Sequence, residues 1–496
     1  MAGFKLKHIH LMAEIYLIAP LFVFFARWLN YGFALLMVLM LGLACYKLWT
    51  TNVDVNSEVF NLNMLIIAIG LAVIWCFFAG VGYFYYQSWD YHFRNAVFRD
   101  LINYEWPVMY DKAHTPMAYY MGFWLVPAML TKFTGLFLHN AYQLFLAGNV
   151  YLFIYAVIGT TLVFLELAAA VKVKSANGFL VACLIFMFFS GLDVIGFLFF
   201  KGNEQPFALH LDWWASVMQY SSLSTSMFWV YNQLICVALM VFLDYNKRDI
   251  KSFGLMVPVM LFLTPYPTVS IGVYMVVLAI SQFISQENKQ AFISTQVFSV
   301  PNLIGVFWVL PVVILYLITN SGGIDKLWYV FDFISPERLL LFMVLEFLLY
   351  VGVIFKYFKK DVFFITTVTL LILIPFIRLD RQNNFCMRAA IPALVMLALF
   401  VIRFLFENIK LPQKRFACTA LILLLIFGAA TPCMEFYRGL YYVHKTGRIS
   451  LVQDEIYTLN QAYVRMPVFG WSANHQFTAK NYKKDIFWQY LAKKRD

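Results

Sequence analysis

Charge is what this chain has least of: 13% of its 496 residues are Asp, Glu, Lys or Arg, against 62% hydrophobic and 19% aromatic. Soluble domains carry about 25% charged residues to stay in water, so a soluble enzyme and a disordered chain are both excluded. Cysteine is also sparse. The seven Cys (45, 76, 183, 236, 386, 418 and 433) show no CxxC or other ligand spacing, and most fall inside apolar runs, which excludes a disulfide scaffold and reads as buried free thiols. There is no P-loop, no Gly-rich dinucleotide fingerprint, no low-complexity tract and no convincing internal repeat. The missing repeat counts against a secondary transporter, whose halves usually echo one another.

What is present is a succession of uncharged apolar runs. They lie near 11–27, 31–47, 62–86, 117–134, 142–171, 178–200, 227–245, 252–265, 267–285, 300–319, 338–355, 362–377, 388–404 and 415–431. Many reach or approach the roughly 17–25 residues needed to span a bilayer. The runs are continuous rather than alternating, which excludes a β-barrel. The net charge of +11 therefore calls for no nucleic acid, since most Lys and Arg flank the runs as topology determinants.

Basic clusters at Lys5/Lys7, Lys172/Lys174, Lys247/Arg248/Lys251, Lys356/Lys359/Lys360 and Arg403/Lys410/Lys414/Arg415 are assigned to the cytoplasm. Counting spans from Lys5 leaves residues 87–116 outside, and the run 142–171 must also begin outside. The run 117–134, which holds Pro127 and Lys132, then enters and leaves on one side, as an interfacial or re-entrant helix. The expectation is an all-α polytopic membrane protein with about 13 transmembrane helices, N-terminus cytoplasmic and C-terminal tail extracytoplasmic, in an inner (plasma) membrane. Met1 to Lys7 reads as leading into a retained first span rather than a signal peptide. The chain divides into 1–61 (two spans and a cytoplasmic loop), 62–285 with outer loops 87–141 and 201–226, 286–431 with outer loops 320–337 and 378–387, and a tail, 432–496, expected to cap the outer face.

The first outer loop is the most informative. From Ser88, a candidate cap, to Pro107 it reads as an amphipathic interfacial helix with Phe93, Val97 and Leu101 at i+4 spacing. His92, Asn95, Arg99 and Asn103 line another face, and Asp90 stands four residues before Arg94. Asp90 reads either as a helix-start carboxylate offsetting the dipole or as a general base at the membrane surface. In the second loop Glu204, His210 and Asp212 flank Trp213/Trp214 and a hydroxyl-rich stretch, Tyr220–Ser226. That composition suits a sugar, or an aromatic belt. In the fourth loop Arg378, Arg381 and Arg388 surround Asp380, either as a salt-bridged turn or as a clamp for phosphate or pyrophosphate. Arg388 opens a span, where a charge is costly and usually functional. Thr264-Pro-Tyr-Pro-Thr268 reads as a tight outer turn.

With an acidic residue directly after a span (Asp90), two juxtamembrane helices (about 88–106 and 117–134) and many spans of low charge, the chain resembles the GT-C superfamily of polyprenyl-phosphate-dependent membrane glycosyltransferases. The segment from Met117 to Gly135, with Tyr119-Tyr120 and Lys132-Phe-Thr-Gly135, is similar to a Tyr-Tyr…Lys-Leu-Phe-Gly passage of such enzymes. The match covers mainly 62–285 and is architectural. The resemblance implies transfer of a sugar from a polyprenyl-phosphate donor to a glycolipid, polysaccharide or protein acceptor on the outer face. Asp90 would be its catalytic carboxylate. His92, Arg94, Arg99, Glu204, Asp212, Trp213, Arg378, Arg381 and Arg388 would bind substrate. No cofactor is called for, although a divalent metal is compatible with the chemistry. The competing readings are a lipid-linked oligosaccharide flippase, which wants ionisable residues inside spans such as Glu166, Asp193 and Glu346, and an O-antigen-type polymerase or ligase.

Overall fold

The computed structural model describes residues 4–50, 59–112, 114–200, 210–320, 322, 329–379, 383–449, 457–460, 476–479 and 481–494. The chain is 78% helical. In order, the helices are α1 (Leu6–Trp28), α2 (Tyr31–Thr50), α3 (Leu62–Phe78), α4 (Tyr91–Asn103), α5 (Gly122–Thr134), α6 (Ala141–Val171), α7 (Ala176–Met187), α8 (Asp193–Phe200), α9 (Leu223–Lys247), α10 (Phe253–Leu263) and α11 (Pro265–Ser285). They continue as α12 (Val300–Leu317), α13 (Pro336–Phe358), α14 (Val362–Phe376), α15 (Asn384–Asn408) and α16 (Pro412–Thr446). Among the described residues, nine of these are long and apolar enough to cross a membrane, and α3, α7, α14 and the stretch Ile250–Leu263 are shorter apolar helices. The chain is an all-α, multi-pass membrane protein.

Local chemistry sets where these helices begin. Asn140 caps α6 by accepting from the Tyr142 and Gln143 N–H groups, Ser222 caps α9 at Thr225, and Asp361 caps α14 at Phe363 and Phe364. Helices α9 and α15 form the centre and are almost wholly buried, whereas α2 and α11 expose most of one face, as helices bathed in lipid do.

The bundle has two distinguishable ends. At the near end, strand β1 (Phe4–Lys5) pairs antiparallel with β2 (Val59–Phe60). At the far end, α4 and α5 lie between α3 and α6, joined by the short hairpin of β3 (Met109–Tyr110) and β4 (Thr115–Pro116). Thirteen residues of α5 span only about 20 Å, too short for a hydrocarbon core of about 30 Å. The shorter apolar helices α7 and α10 are no longer than α5, so length alone does not set it apart; within the run 117–134 the helix starts at Gly122, after an extended stretch. Described parts of the tail cover this end: Asn30 N–H donates to the Leu491 carbonyl (2.8 Å), Ala118 N–H to that of Phe477 (2.9 Å) and Ala479 N–H to that of Pro116 (3.1 Å).

Three sequence expectations need correction. Ser88 does not cap α4 through its hydroxyl, which is buried without a hydrogen bond; its carbonyl accepts from Tyr91 N–H instead, and Asp90 holds the N-cap position. The run 178–200 is two helices, because the chain leaves helical geometry between Met187 and Asp193. The last helix runs on to Thr446, taking up residues assigned to the tail. Six cysteines are buried, Cys433 is exposed, and all seven are free thiols.

Candidate functional site

The segment that carries Asp90 is built by a glycine turn. After α3 the backbone takes positive φ at Gly80 (75°) and Gly82 (76°), where a β-carbon would meet the Tyr86 carbonyl and, 2.7 Å away, the Asn149 carbonyl. Gln87 Nε2 donates back to the Gly80 carbonyl (2.7 Å), Asn95 Nδ2 to Gln87 Oε1 (2.8 Å), and Tyr91 OH to the Ala79 carbonyl (2.6 Å). The loop is therefore pinned at three points, and Asp90 emerges at the positive end of the α4 dipole with its side chain 37% exposed.

Around Asp90 the structure gathers a polar recess. Arg94 Nη2 lies 3.3 Å from Asp90 Oδ2, and the guanidinium sits 5.5 Å from the Tyr91 ring centroid. Arg388, at the start of α15, donates from Nη1 to Tyr120 OH (3.2 Å), which Gln233 Nε2 also approaches (3.4 Å). Tyr119 and Tyr120 stand with ring centroids 4.0 Å apart. Arg388 interacts electrostatically with Asp90, Tyr119, Tyr120 and Tyr266, and Arg94 with Tyr119. Two donors in this recess, Arg94 Nη1 and Arg388 Nε, are buried with no acceptor. Leaving a charged donor so costs more than about 1–3 kcal/mol each, and an anion would repay it. A carboxylate at the mouth with guanidinium groups behind it can take a proton from one reactant and hold negative charge on another.

A second cluster adjoins through Tyr86, four residues before Asp90. Arg438 lies 5.9 Å from the Tyr86 ring centroid and 5.2 Å from that of Trp229, and Tyr86 stacks on Tyr442 at 5.3 Å. His210 Nδ1 is 3.1 Å from Glu435 Oε1, Arg438 pairs with the same carboxylate, and Trp213 packs 4.5 Å from the His210 ring. Burial pushes the His210 pKa down, against the pull of Glu435. Asp212 is buried and accepts from Gln219 Nε2 (2.8 Å); burial first, then the charges of Asp193 and Glu435, push its carboxyl up to about 7. A break in α9 at Val230 (φ −138°, ψ 42°) lies beside Trp229. Trp213, 47% exposed, offers an aromatic face.

Of the residues singled out from the sequence, Asp90, Arg94 and Arg388 converge, and Asp212 and Trp213 belong to the neighbouring cluster. His92 is buried edge-on to Trp89. Arg99 is buried between Phe145 and Tyr457, 4.7 Å from each ring centroid, where it fastens the tail. Arg378 is buried with its guanidinium 3.4 Å from the Phe333 ring centroid. Glu204 and Arg381 lie outside the described residues. Tyr119, Tyr120 and Gln233 were given no role by sequence reasoning; the only available signal was the Tyr-Tyr pair itself and a polar residue within the run 227–245. Among the described residues no group of three or more His, Cys, Asp or Glu is placed to hold a metal ion. A groove of about 790 Å³ between α7, α15 and α16 is lined largely by apolar side chains and contains none of these residues.

No protein-family model matches the chain, and no curated protein or solved structure matches it either.

Proposed function

We propose that the protein is an integral membrane glycosyltransferase of the GT-C type, moving a sugar from a polyprenyl-phosphate donor to a cell-envelope acceptor. The observation that carries this reading is the convergence of half-exposed Asp90 with two guanidinium groups, Arg94 and Arg388, each holding an unused buried N–H. The short helices α4 and α5 beside the recess support it. In this reading the chain crosses the membrane about 13 times, counting the shorter apolar helices, with the N-terminus cytoplasmic and the far end outward.

The chemistry follows from charge. Asp90 removes the proton of the acceptor hydroxyl as its oxygen bonds to the anomeric carbon. The bond from that carbon to the phosphate oxygen breaks, and the electron pair leaves with the phosphate. Arg388 and Arg94 stabilise that departing charge, and Trp213 offers a face for the sugar. The test is release of polyprenyl phosphate from short-chain polyprenyl-phosphate sugars by purified protein in nanodiscs with a glycolipid extract. Turnover that disappears in Asp90→Asn at unchanged thermal stability supports the reading. Turnover that survives the substitution removes Asp90 as base.

A second reading, a lipid-linked oligosaccharide flippase, is favoured by the buried acidic residues Asp193 and Glu346. It predicts tight lipid-pyrophosphate binding without turnover, weakened in Arg388→Ala.

A further inference from the structure

Away from the recess, two interrupted spans cross. Between α7 and α8 the backbone leaves helical geometry, and the groups this frees find partners: Leu223 N–H donates to the Phe189 carbonyl (3.1 Å) and Ser224 Oγ to that of Met187 (2.7 Å). Leu192 N–H reaches across to the Leu345 carbonyl (3.0 Å). Leu345 lies within a π-helical turn of α13, Val344–Leu348, an irregularity that often marks function. The two interruptions therefore meet, and each contributes one acidic side chain, Asp193 and Glu346, both 1% exposed.

These two carboxyls are only half satisfied. Asp193 Oδ2 accepts from Ser190 Oγ and Thr431 Oγ1 (2.8 Å each), and Glu346 Oε1 accepts from Trp214 Nε1 (3.0 Å). The other oxygens, Asp193 Oδ1 and Glu346 Oε2, are buried with no donor, although the two carboxyls lie within hydrogen-bond reach of each other. Their approach depends on Gly191, where a β-carbon would collide with Glu346 Oε2. Among the described residues, the titratable groups that interact with the pair are Asp212 from the loop before α9, Tyr220, Tyr350 on α13 itself and Cys386 at the start of α15. Each of these is acidic or neutral, so none supplies the positive charge that two facing carboxylates need.

We propose that Asp193 and Glu346 form a proton-binding site, in which one proton held between Asp193 Oδ1 and Glu346 Oε2 ties α8 to the π-turn of α13. Binding takes one proton from water and changes the charge of the pair from −2 to −1, with no other reactant. Losing the proton sets two carboxylates against each other and loosens the contact that also holds Trp214. The site stands on its own geometry and does not depend on the transferase reading.

The test is infrared difference spectroscopy of the full chain in nanodiscs, titrated across the neutral range with and without sodium chloride. Expected is a C=O band of a buried protonated carboxyl that is indifferent to sodium and disappears in Glu346→Gln. Asp193→Asn, which keeps an acceptor for Ser190 and Thr431, removes the same band and serves if the first variant does not fold. Absence of the band from the wild type at neutral pH, or its survival in both variants, overturns the proposal. Its loss on adding sodium overturns it too, by assigning the site to a metal cation.

Discussion

The two ends of the bundle both bury charge, but they do so differently. At the near end Glu166 is fully buried, with Oε1 2.7 Å from His10 Nδ1 and Oε2 accepting from Asn246 Nδ2 at 2.7 Å. Glu14 accepts from Lys247 on one oxygen and from Trp49 Nε1 (3.1 Å) on the other. Both oxygens of each carboxylate are satisfied, although His10 Nε2 and Asp244 Oδ2 at the same end are buried without a partner; the groups that meet the two carboxylates come from α1, α2 and α9, so they clamp α1, α2, α6 and α9 together. At the far end Arg94 and Arg388 keep buried N–H groups without acceptors, and Asp90 faces outward. Carboxylates paired on both oxygens hold helices together, whereas guanidinium groups with unused donors are, in the proposed reading, open to an anion from outside the chain.

Activity should respond most strongly at the open end. If Asp90 is the general base, Asp90→Asn lowers donor turnover by about 10²–10⁴-fold and leaves the thermal midpoint unchanged. A fall in both would place Asp90 among the groups that maintain the fold. The reverse pattern belongs to the closed end: Glu166→Ala strands His10 and Asn246 and costs about 3–5 kcal/mol, read as a lowered midpoint of thermal or denaturant unfolding in detergent. Wild-type stability in that variant would break the comparison from the other side. Arg388→Ala comes next. It removes a charge-assisted contact to a phosphate of about 1.5–3 kcal/mol, roughly a 10- to 150-fold loss of affinity for a short polyprenyl phosphate. Its cost in stability is small, since Tyr120 and Gln233 can still meet each other.

How much of this could be read from the sequence follows the same division. The bundle was legible because lipid demands long uncharged runs, and Asp90 because it stands directly after one, four residues before an arginine. The interfacial placement proposed for 117–134 rests on counting sides. The clustering of Arg388 with Asp90 was not readable, since 298 positions separate them and only packing of α15 against the Tyr119–Tyr120 stretch joins them. The polar face expected on α4 misled for a related reason. Its periodicity is real, but of its members His92 and Arg99 are buried, and Arg99 faces Tyr457 of the tail rather than water. The breaks in α7–α8 and α13 carry no proline or charge run to announce them; Gly191 is the one residue whose necessity is explained by the close approach of Glu346.

The most local effect should come from a buried carboxyl at the far end itself, paired on Oδ2 but not on Oδ1, and it sharpens the contrast. Asp100 Oδ2 accepts from Tyr110 OH (2.9 Å) and from Leu459 N–H (3.0 Å), fastening the segment 457–460 to α4. Burial pushes its carboxyl up to about 6 from an ordinary 3.8, against the pull of those hydrogen bonds and of Arg99. A carboxyl raised in the docked state binds a proton there more tightly than when released. Docking is thus strongest below the ordinary value, weakens as pH climbs through about 6, and levels off above it. Asp100→Asn keeps an acceptor for both donors and loses the titration. Hydrogen exchange at Leu459 should be alike in the two proteins below about pH 4, with wild-type protection falling to about a hundredth of the variant's at neutral pH, as a shift of about two pKa units requires. Protection that instead rises with pH in the wild type would mean the carboxylate is held by its donors more strongly than burial penalises it. Asp100 would then belong with Glu166, as a closed and charged clamp, and the far end would contain both kinds of site within a single helix.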